Sequence, residues 1–222
     1  MPNELLMIMT SNGTLGDSGR PTGVWAEEVC VPLKAFRDAG FAVSAASPLG
    51  GRPPIDPRSA GFDTSTVPDL EAWLDGTGVL ADVDPGRYAA VFLAGGHGTM
   101  WDFPDNEALA RVVGAVASHG VVSAVCHGPA GLIGVAGPDG KPLIAGRTVT
   151  AFSDAEEDAA GTRSASPFSL QQELAALGAI VEVAAPFTVH VRRDGNLVTG
   201  QNPRSSAAVA QAVTAAVRDL PR

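Results

Sequence analysis

The sequence predicts an α/β fold in which a mostly parallel sheet carries helices on both faces. Short apolar runs alternate with longer amphipathic stretches, and this alternation is typical of parallel strands joined by helical crossovers. Glycines close two of the amphipathic stretches, at Gly40 and Gly120. We expect both glycines to adopt the left-handed conformation that commonly follows a helix end.

The elements follow one another in order along the chain. Predicted strands lie at residues 5–9, 41–47, 88–94, 121–126, 147–152, 179–184, 188–193 and 197–199, and predicted helices lie at 24–39, 105–118 and 203–218. A hairpin turn is expected at Asp194-Gly195. Residues 48–87 are rich in Pro, Gly and Asp and contain one short helix candidate, at 67–74. We interpret them as an insertion over the sheet, within a single domain of residues 1–222.

Composition excludes several classes of partner. A net charge of −9 leaves no basic surface for nucleic acid or an anionic membrane, so a small molecule or a protein is the expected partner. Only two cysteines occur, Cys30 and Cys126, which is typical of free thiols in a cytosolic chain. The first residues have no signal-peptide pattern, and no run approaches the ~18 apolar residues of a membrane span. These observations predict a cytoplasmic protein.

The run VVSAVCHGPA, residues 121–130, places Cys126 at the end of a predicted strand, where ligands bind in parallel sheets. A nucleophile on a tight strand-to-helix turn needs small residues two positions before and after it, and Ala124 and Gly128 meet this need. The dipole of the following helix would favour the thiolate. Cys126 is therefore the candidate nucleophile, whereas Cys30 is interpreted as a buried side chain of a predicted helix.

A second strand end carries Gly95, Gly96 and His97. Backbone amides in a glycine-rich turn can stabilise an oxyanion without reorganisation, and both strand ends could face one pocket. A glycine pair also marks ordinary tight turns, and His97 could equally be a pocket residue or a loop residue bonded to backbone. The residues alone leave these alternatives open.

Glu28 lies in the first turn of the predicted helix 24–39, four residues before Pro32. Proline cannot donate to the carbonyl of Glu28, so the helix is distorted at this point. A carboxyl held in a pocket by such a kink could stay protonated and hydrogen-bond a thiolate, or act as general acid and base. The alternative, that acids in a first turn only complement the helix dipole, suits Glu27 better.

Six segments stand out in order along the chain: TGVWAEEVCVPLKAFRDAGF, SPLGG…PIDPRS, FLAGGHGTMWDFPDN, AVCHGPAGL, GRTVTAFSDAEE and DGNLVTGQNP. Together they resemble the DJ/PfpI superfamily, which has a class I glutamine amidotransferase-like fold, and specifically its branch of glutathione-independent glyoxalase III and heat-shock holding chaperones. The resemblance implies a flavodoxin-like three-layer sandwich that forms a homodimer, with a reactive cysteine on a nucleophile elbow at Cys126.

The resemblance also implies roles for particular residues. His127 would assist Cys126, and Glu28 would hydrogen-bond the thiolate. An acid that orients the histidine falls on Glu157, with Asp154 and Glu156 as alternatives. The oxyanion donors fall on backbone amides around Gly95, Gly96 and His127, and His97 belongs to the same candidate substrate-binding group.

By this resemblance, the thiolate of Cys126 would attack the aldehyde of methylglyoxal to give a hemithioacetal. Proton movement between adjacent carbons, assisted by Glu28 and His127, would give a thioester, from which water would release lactate. The scheme requires no metal and no organic cofactor. Because His127 immediately follows Cys126 on a tight turn, we expect its ring to point differently from the cysteine, so that its backbone amide could matter as much as its ring.

Other functions of the same cysteine remain as alternatives. A glutaminase would need a downstream histidine followed by Pro and Glu, whereas the downstream histidine here, His190, lies in an alternating run typical of a strand. A peptidase would need room for an extended substrate. A holding chaperone would expose apolar residues, for example in residues 98–103 or 48–87, and a redox sensor would oxidise Cys126.

Overall fold

The computed structural model describes residues 3–220, which contain a seven-stranded sheet with helices on both faces. The strands are β1 Glu4–Ile8, β2 Ala42–Ser47, β3 Gly78–Val79, β4 Ala90–Leu93, β5 Val121–Val125, β6 Thr148–Val149, β7 Ile180–Val181, β8 Val191–Asp194 and β9 Leu197–Gly200. The helices are α1 Ala26–Asp38, α2 Leu70–Asp75, α3 Thr99–Asp102, α4 Glu107–Ala117, α5 Asp154–Ala160, α6 Leu170–Ala176 and α7 Ser206–Arg218.

The strands of the large sheet lie in the order β3-β2-β1-β4-β5-β9-β8. All neighbouring strands in it run parallel except β8 and β9, which form an antiparallel hairpin at one edge. The crossovers between the parallel strands carry helices that cover both faces of the sheet, as parallel sheets require. The predicted flavodoxin-like three-layer sandwich is therefore confirmed.

The two faces of the sheet bury separate apolar clusters, because successive side chains of a strand point to opposite sides. In β1, Leu5 and Met7 join the cluster that includes α1 and α7, whereas Leu6 and Ile8 join the cluster that includes α4. The central strands β4 and β5 are buried along their whole length. Their carboxyl ends lie side by side in the middle of one edge of the sheet, and the candidate site follows these two ends.

Glycine closes two helices for different reasons. Gly40 follows α1 with a left-handed φ of +91°, as predicted. Gly120, which precedes β5, does not have a positive φ, so that part of the prediction is wrong. A Cβ at Gly120 would lie 2.4 Å from the carbonyl oxygen of Ala89, so glycine is needed here for close approach of two backbones.

The second half of the chain has shorter strands than the sequence predicts. Within the described residues, β6 and β7 form a separate two-stranded parallel sheet. The β8–β9 hairpin is present, but its loop residues are Gly195 and Asn196, because Asp194 still pairs with Leu197. Strand β8 begins after His190, so the prediction that this histidine lies in a strand is wrong.

Residues 48–87 contain α2, three short 3-10 helices and one strand that the sequence did not reveal. This strand, β3, has only two residues and pairs with β2 at the edge of the large sheet, so it is too short to show a periodicity. The assignment of 48–87 as an insertion in a single domain stays a prediction. Among residues 3–220, no helix combines the length and apolar character needed to cross a bilayer.

Candidate active site

Cys126 lies on the sharp turn that follows β5, in a left-handed conformation with a φ of +59°. Its N–H donates to the carbonyl of Gly200 at 2.9 Å, and its own carbonyl accepts from the N–H of Phe152 at 2.8 Å. A Cβ on Gly128 would lie 2.2 Å from the carbonyl oxygen of Leu93, so only glycine fits two residues after the cysteine. These features confirm the nucleophile elbow that was predicted at Cys126.

The surroundings of Cys126 favour the thiol over the thiolate. The segment that follows it is a five-residue 3-10 helix, Gly128–Leu132, which has little of the aligned dipole of a regular α-helix. Burial raises the pKa of the Cys126 thiol well above its ordinary value, and the charge of the Glu28 carboxyl raises it further. The helix dipole that was expected to favour the thiolate is therefore weak here, and the ionised thiol stays a prediction.

The imidazole of His127 supplies a base in contact with this thiol. Its Nδ1 lies 3.3 Å from Sγ of Cys126. The ring packs against the rings of His97 and Phe152, with centroid separations of 3.9 and 4.4 Å and tilted planes. The expectation that adjacent side chains on a tight turn would diverge is wrong here, because the left-handed φ of Cys126 lets the two side chains meet.

The other ring nitrogen of His127, Nε2, donates to Oε1 of Glu157 at 2.6 Å. Although burial raises the pKa of Glu157, hydrogen bonds from His127 and His97 lower it below its usual range, so Glu157 is a carboxylate. An anionic acceptor at Nε2 holds the proton of the neutral ring there and leaves Nδ1 bare toward the thiol. Among the three acids considered for this position, Glu157 is the one that the structure places against His127.

The two alternative acids stabilise the beginnings of helices, α5 for Glu156 and α6 for Asp154. Glu156 and Ser153 form a capping box, in which Oε2 of Glu156 accepts from the N–H of Ser153 at 2.9 Å. Oε1 of Glu156 accepts from the N–H of Phe187 at 2.8 Å. Asp154 accepts hydrogen bonds from two side chains at the start of α6. Neither acid is hydrogen-bonded to the histidine.

Glu28 enters the site from α1, where it is fully buried and Pro32 lies within the same helix. Its Oε2 accepts from the N–H of Gly95 at 2.7 Å. Its Oε1 has no hydrogen-bond partner of suitable geometry among residues 3–220. The side chain of Cys126 lies close enough to influence the pKa of this carboxyl. Burial raises the pKa of Glu28 well above its ordinary value. Because two buried negative charges repel, Glu28 and Cys126 keep at least one proton between them.

In the glycine-rich turn after β4, the backbone N–H groups of Gly95 and Gly96 differ in their hydrogen bonding. The N–H of Gly95 is occupied by Glu28, and a Cβ at Gly95 would lie 2.5 Å from that carboxylate. The N–H of Gly96 has no acceptor within residues 3–220. The N–H of His127 interacts with the sulfur of Cys126, where it partly offsets the raised pKa of the thiol. Of the predicted oxyanion donors, Gly96 and His127 are therefore better placed than Gly95.

Cys126 and His97 line a cavity of about 200 Å³. The remaining lining residues are mostly apolar, with charged side chains among them: Trp25, Glu27, Arg58, Gly96, Phe152, Ala160, Phe187, Pro203 and Arg204. Ligand pockets commonly measure about 300–1,000 Å³, so this cavity is small. It suits a small molecule and not an extended polypeptide.

Sequence reasoning missed Arg58, which joins the site from a 3-10 helix, Pro57–Ser59. Its Nη2 lies 3.0 Å from Nδ1 of His97, and Nε2 of His97 lies 3.3 Å from Oε2 of Glu157. The structure thus places His97 in the pocket, with side chains as partners. The segment around Arg58 resembles an ordinary turn because Asp56 caps it, and a turn motif gives no signal of a distant histidine.

His97, His127 and Glu157 hold nitrogen and oxygen atoms within 4.8 Å of one another, a donor set that can bind a divalent cation. The contact between Arg58 and His97 disfavours metal binding. Because a guanidinium only donates hydrogen bonds, Nδ1 of His97 must accept, and the proton of the neutral ring is then on Nε2, which faces Glu157. A protonated nitrogen has no lone pair for a metal, so the local hydrogen bonding favours a proton-transfer network.

Residues 98–103 do not supply the exposed apolar surface considered for a chaperone. Met100 and Phe103 are buried, and Trp101 is partly buried against the same cluster. The large apolar side chains that are exposed lie elsewhere: Leu49, Val79, Ile180, Val183 and Val189. That part of the chaperone hypothesis is therefore wrong.

Comparison with known proteins adds an independent line of evidence. Residues 22–216 match the model of the DJ-1/PfpI family. The chain is 32% identical to "Glyoxalase 3" of Candida albicans, over 97% of this chain and 98% of the relative. It is 31% identical to "Glutathione-independent glyoxalase HSP31" of Saccharomyces cerevisiae, over 94% of this chain and 95% of the relative.

Solved structures agree with these relatives. The crystal structure of glyoxalase III from Candida albicans superposes with a TM-score of 0.87 and 32% identity over 96% of each chain. The X-ray structure of Rapid Encystment Protein 24 KDa from Francisella tularensis superposes with a TM-score of 0.92 and 35% identity, over 98% of this chain and 99% of the other. Since the family model spans most of the sequence and the relatives share its length and architecture, the chain belongs to the DJ-1/PfpI family.

Proposed function

We propose that this protein is a glutathione-independent glyoxalase of the glyoxalase III type, which converts methylglyoxal or a related 2-oxoaldehyde to a 2-hydroxy acid. The observation that carries this proposal is the position of the His127 ring. One of its nitrogens lies 3.3 Å from the thiol of Cys126, and the other donates to the buried carboxylate of Glu157 at 2.6 Å. The names of the relatives in Candida albicans and Saccharomyces cerevisiae support the same activity.

The first step forms a bond between Sγ of Cys126 and the aldehyde carbon. Nδ1 of His127 takes the thiol proton as the sulfur attacks, and the aldehyde oxygen gains negative charge. The backbone N–H groups of Gly96 and His127 stabilise this oxygen. Return of the proton from His127 to the oxygen gives a neutral hemithioacetal. Glu157 stays ionised throughout, and it stabilises the imidazolium that forms transiently.

The second step moves hydrogen between the two former carbonyl carbons. A base removes the proton from the carbon bonded to sulfur, and a proton is then delivered to the adjacent carbon, which turns the hemithioacetal into a thioester of the 2-hydroxy acid. Glu28 suits this task, because burial raises the pKa of its carboxyl and so makes its carboxylate form a stronger base. The oxidation of one carbon balances the reduction of its neighbour, so no external electron acceptor takes part.

The third step is hydrolysis of the thioester. Water attacks the thioester carbon while a base takes one of its protons, the carbon–sulfur bond breaks, and the sulfur of Cys126 is reprotonated. The product is a 2-hydroxy acid, which is lactate when the substrate is methylglyoxal. The thiol stores the acyl group and side chains move the protons, which supports the prediction that no cofactor is needed.

The alternative functions of Cys126 fit the site less well. A cavity of about 200 Å³ is too small for an extended peptide substrate. A redox sensor needs a thiolate at rest, and the raised pKa of Cys126 opposes this. The homodimer and the cytoplasmic location remain predictions, and light scattering of the purified protein checks the first of them.

The proposal is tested by incubating the purified protein with glyoxal, methylglyoxal and phenylglyoxal in the absence of glutathione. We expect loss of the aldehyde together with formation of the matching 2-hydroxy acid, measured by chromatography. A glutathione-dependent rate, or aldehyde loss without acid formation, would contradict the proposal. Inactivity on all three aldehydes, together with suppression of client aggregation, would favour the holding chaperone.

A further inference from the structure

Asp56, Arg58 and His97 form a second chain of polar side chains that meets Glu157 at Oε2, and Arg58 and His97 line the same cavity as Cys126. Asp56 is fully buried, and its carboxylate accepts from Nε of Arg58 at 3.0 Å and from Nη2 at 2.5 Å. It also accepts from the hydroxyl of Thr22 at 2.9 Å. These contacts hold the guanidinium in one orientation, in which Nη2 also reaches Nδ1 of His97 at 3.0 Å.

This contact settles which nitrogen of His97 carries the proton. A guanidinium is a donor and never an acceptor, so Nδ1 of His97 must present its lone pair to Arg58. Burial and the neighbouring His127 lower the pKa of His97 to about 4, so the ring is neutral near pH 7 and its one proton is on Nε2. Nε2 then donates to Oε2 of Glu157, 3.3 Å away.

The direction of this bond matters for the other oxygen of Glu157. Oε2 accepts from His97 and from the hydroxyl of Thr162, so it is fully engaged. Oε1 is left to accept from Nε2 of His127 at 2.6 Å. The Glu157 carboxylate accepts all of these hydrogen bonds. The donor and the acceptor of each hydrogen bond between Arg58 and His127 are therefore fixed.

We propose that Arg58 and His97 are positioning residues, which act through Glu157 to hold His127 in the tautomer whose Nδ1 takes the proton of Cys126. Neither residue needs to touch the reacting atoms for this role. If His97 had the opposite tautomer, its bare Nε2 would face the carboxylate, Glu157 would turn to find another donor, and His127 would lose its orienting partner. The kinetic consequence of the proposal rests on the proposed function, whereas the tautomers themselves do not.

The test combines a spectroscopic and a kinetic measurement on the full chain. In protein labelled with 15N at histidine, protonated and bare ring nitrogens differ widely in chemical shift. The four histidines are assigned with single His→Gln variants. We expect Nε2 to be protonated and Nδ1 bare in both His97 and His127 near pH 7. In Arg58→Met, Nδ1 of His97 loses the donor that kept it bare, so the spectrum of His97 should show a fraction protonated at Nδ1 beside the form held by Glu157, and that of His127 should show a mixture of tautomers.

The kinetic measurement uses two replacements of His97. Glutamine can accept from Arg58 and donate to Glu157, so His97→Gln should keep kcat within about threefold of wild type, since both hydrogen bonds persist. Leucine can do neither, and His97→Leu should lower kcat by about 10- to 100-fold with little change in KM, as expected when a hydrogen bond to a charged group is lost. Arg52→Met, which removes an exposed ion pair with Glu71 and Asp75, is the matched control for Arg58→Met and should leave both measurements unchanged.

The outcomes separate the two proposals. Protonation at Nδ1 of His97 in the wild-type protein, or identical His127 spectra in wild type and Arg58→Met, would overturn the positioning role whatever the activity. Equal kcat values in His97→Leu and His97→Gln would also overturn it. A wild-type protein that shows the expected tautomers but has no glyoxalase activity would refute the proposed function and leave the tautomer assignment standing.

Discussion

Glu157 holds Nε2 of His127 at 2.6 Å, on the side of the ring opposite to the thiol. The two residues are 30 positions apart in sequence, and both are buried. A carboxylate in this position fixes both the plane of the ring and the location of its proton. The reactivity of the buried Cys126 side chain therefore depends on a side chain that does not touch it.

The first prediction concerns the nucleophile. Cys126→Ser should reduce 2-hydroxy acid formation to the background rate, because a hydroxyl is a far weaker nucleophile than a thiol. Cys30→Ala is the matched control, since Cys30 is buried in α1 away from the cavity and burial raises its pKa to about 11. The measurement is the rate of acid formation from methylglyoxal, with circular dichroism to confirm folding. Comparable loss in both variants would argue against a role for Cys126.

The second prediction separates hydrogen bonding from proton transfer at Glu28. In Glu28→Gln, the amide oxygen can still accept from the N–H of Gly95, and the amide N–H can still donate toward Cys126, but no proton can be exchanged. We therefore expect a folded protein whose kcat falls by about 10²- to 10⁴-fold, the usual contribution of a general acid or base. Glu107→Gln, a change in the first turn of α4 on the surface, serves as control.

A substrate isotope experiment sharpens this second prediction. If Glu28 moves hydrogen between the two carbons, methylglyoxal deuterated at the aldehyde carbon should react more slowly in the wild-type protein. An activity of Glu28→Gln close to that of wild type would exclude the acid-base role and leave Glu28 as a structural residue of the turn.

The third prediction contrasts two neighbouring acids. Glu157→Gln removes the charge that stabilises the imidazolium of His127, so kcat should fall by about 10²-fold or more while the fold persists. Glu156→Ala removes the capping box of α5 and the acceptor of the Phe187 N–H. It should lower the free energy of unfolding by about 1–3 kcal/mol and leave kcat of the folded protein close to wild type. Urea denaturation and initial rates measure the two effects, and the reverse pattern would show that the acids are wrongly assigned.

The fourth prediction concerns stability against pH. In the folded protein burial lowers the pKa of His97 to about 4, from 6.5 for an ordinary histidine. Between these values the unfolded chain binds more protons than the folded one, so the free energy of unfolding should fall as the pH drops from 6.5 toward 4. The part due to His97 is roughly 3 kcal/mol.

Urea unfolding at pH 7 and pH 4.5 measures this effect in wild type and in His97→Gln. The variant lacks the titrating ring, so its loss of stability between the two pH values should be smaller. The lowered pKa of Glu157 also makes the free energy of unfolding fall as the pH drops. This loss occurs below the ordinary carboxyl pKa and is present in both proteins. Equal losses in the two proteins would contradict the assignment of His97 as a buried neutral ring.

The sequence predicts the elbow well because its requirements are local. Strand periodicity ends at Cys126, and Gly128 is needed where a Cβ would meet the carbonyl of Leu93. The direction of the His127 ring is not local, since it depends on the φ of Cys126 and on rings from two other segments. For the same reason the raised pKa of Cys126, which comes from burial, was not predictable.

The distinction between Glu156 and Glu157 has a sequence signal that was available. Ser153 and Glu156 have the S-x-x-E spacing of a capping box, which assigns Glu156 to the beginning of its own helix and leaves Glu157 for the pocket. Arg58 has no such signal. It precedes His97 by 39 residues, and only the folded chain brings the two side chains together.

The backbone of Cys126 has a further consequence. A non-glycine residue in the left-handed region costs of order 1–3 kcal/mol when the surrounding structure enforces it, and Cys126 is held there by hydrogen bonds on both sides of its peptide unit. Selection for stability alone would place glycine at this position. At residue 126, stability and activity therefore favour different residues. A descendant of this protein with glycine at residue 126 would have lost the chemistry of the site while keeping its fold.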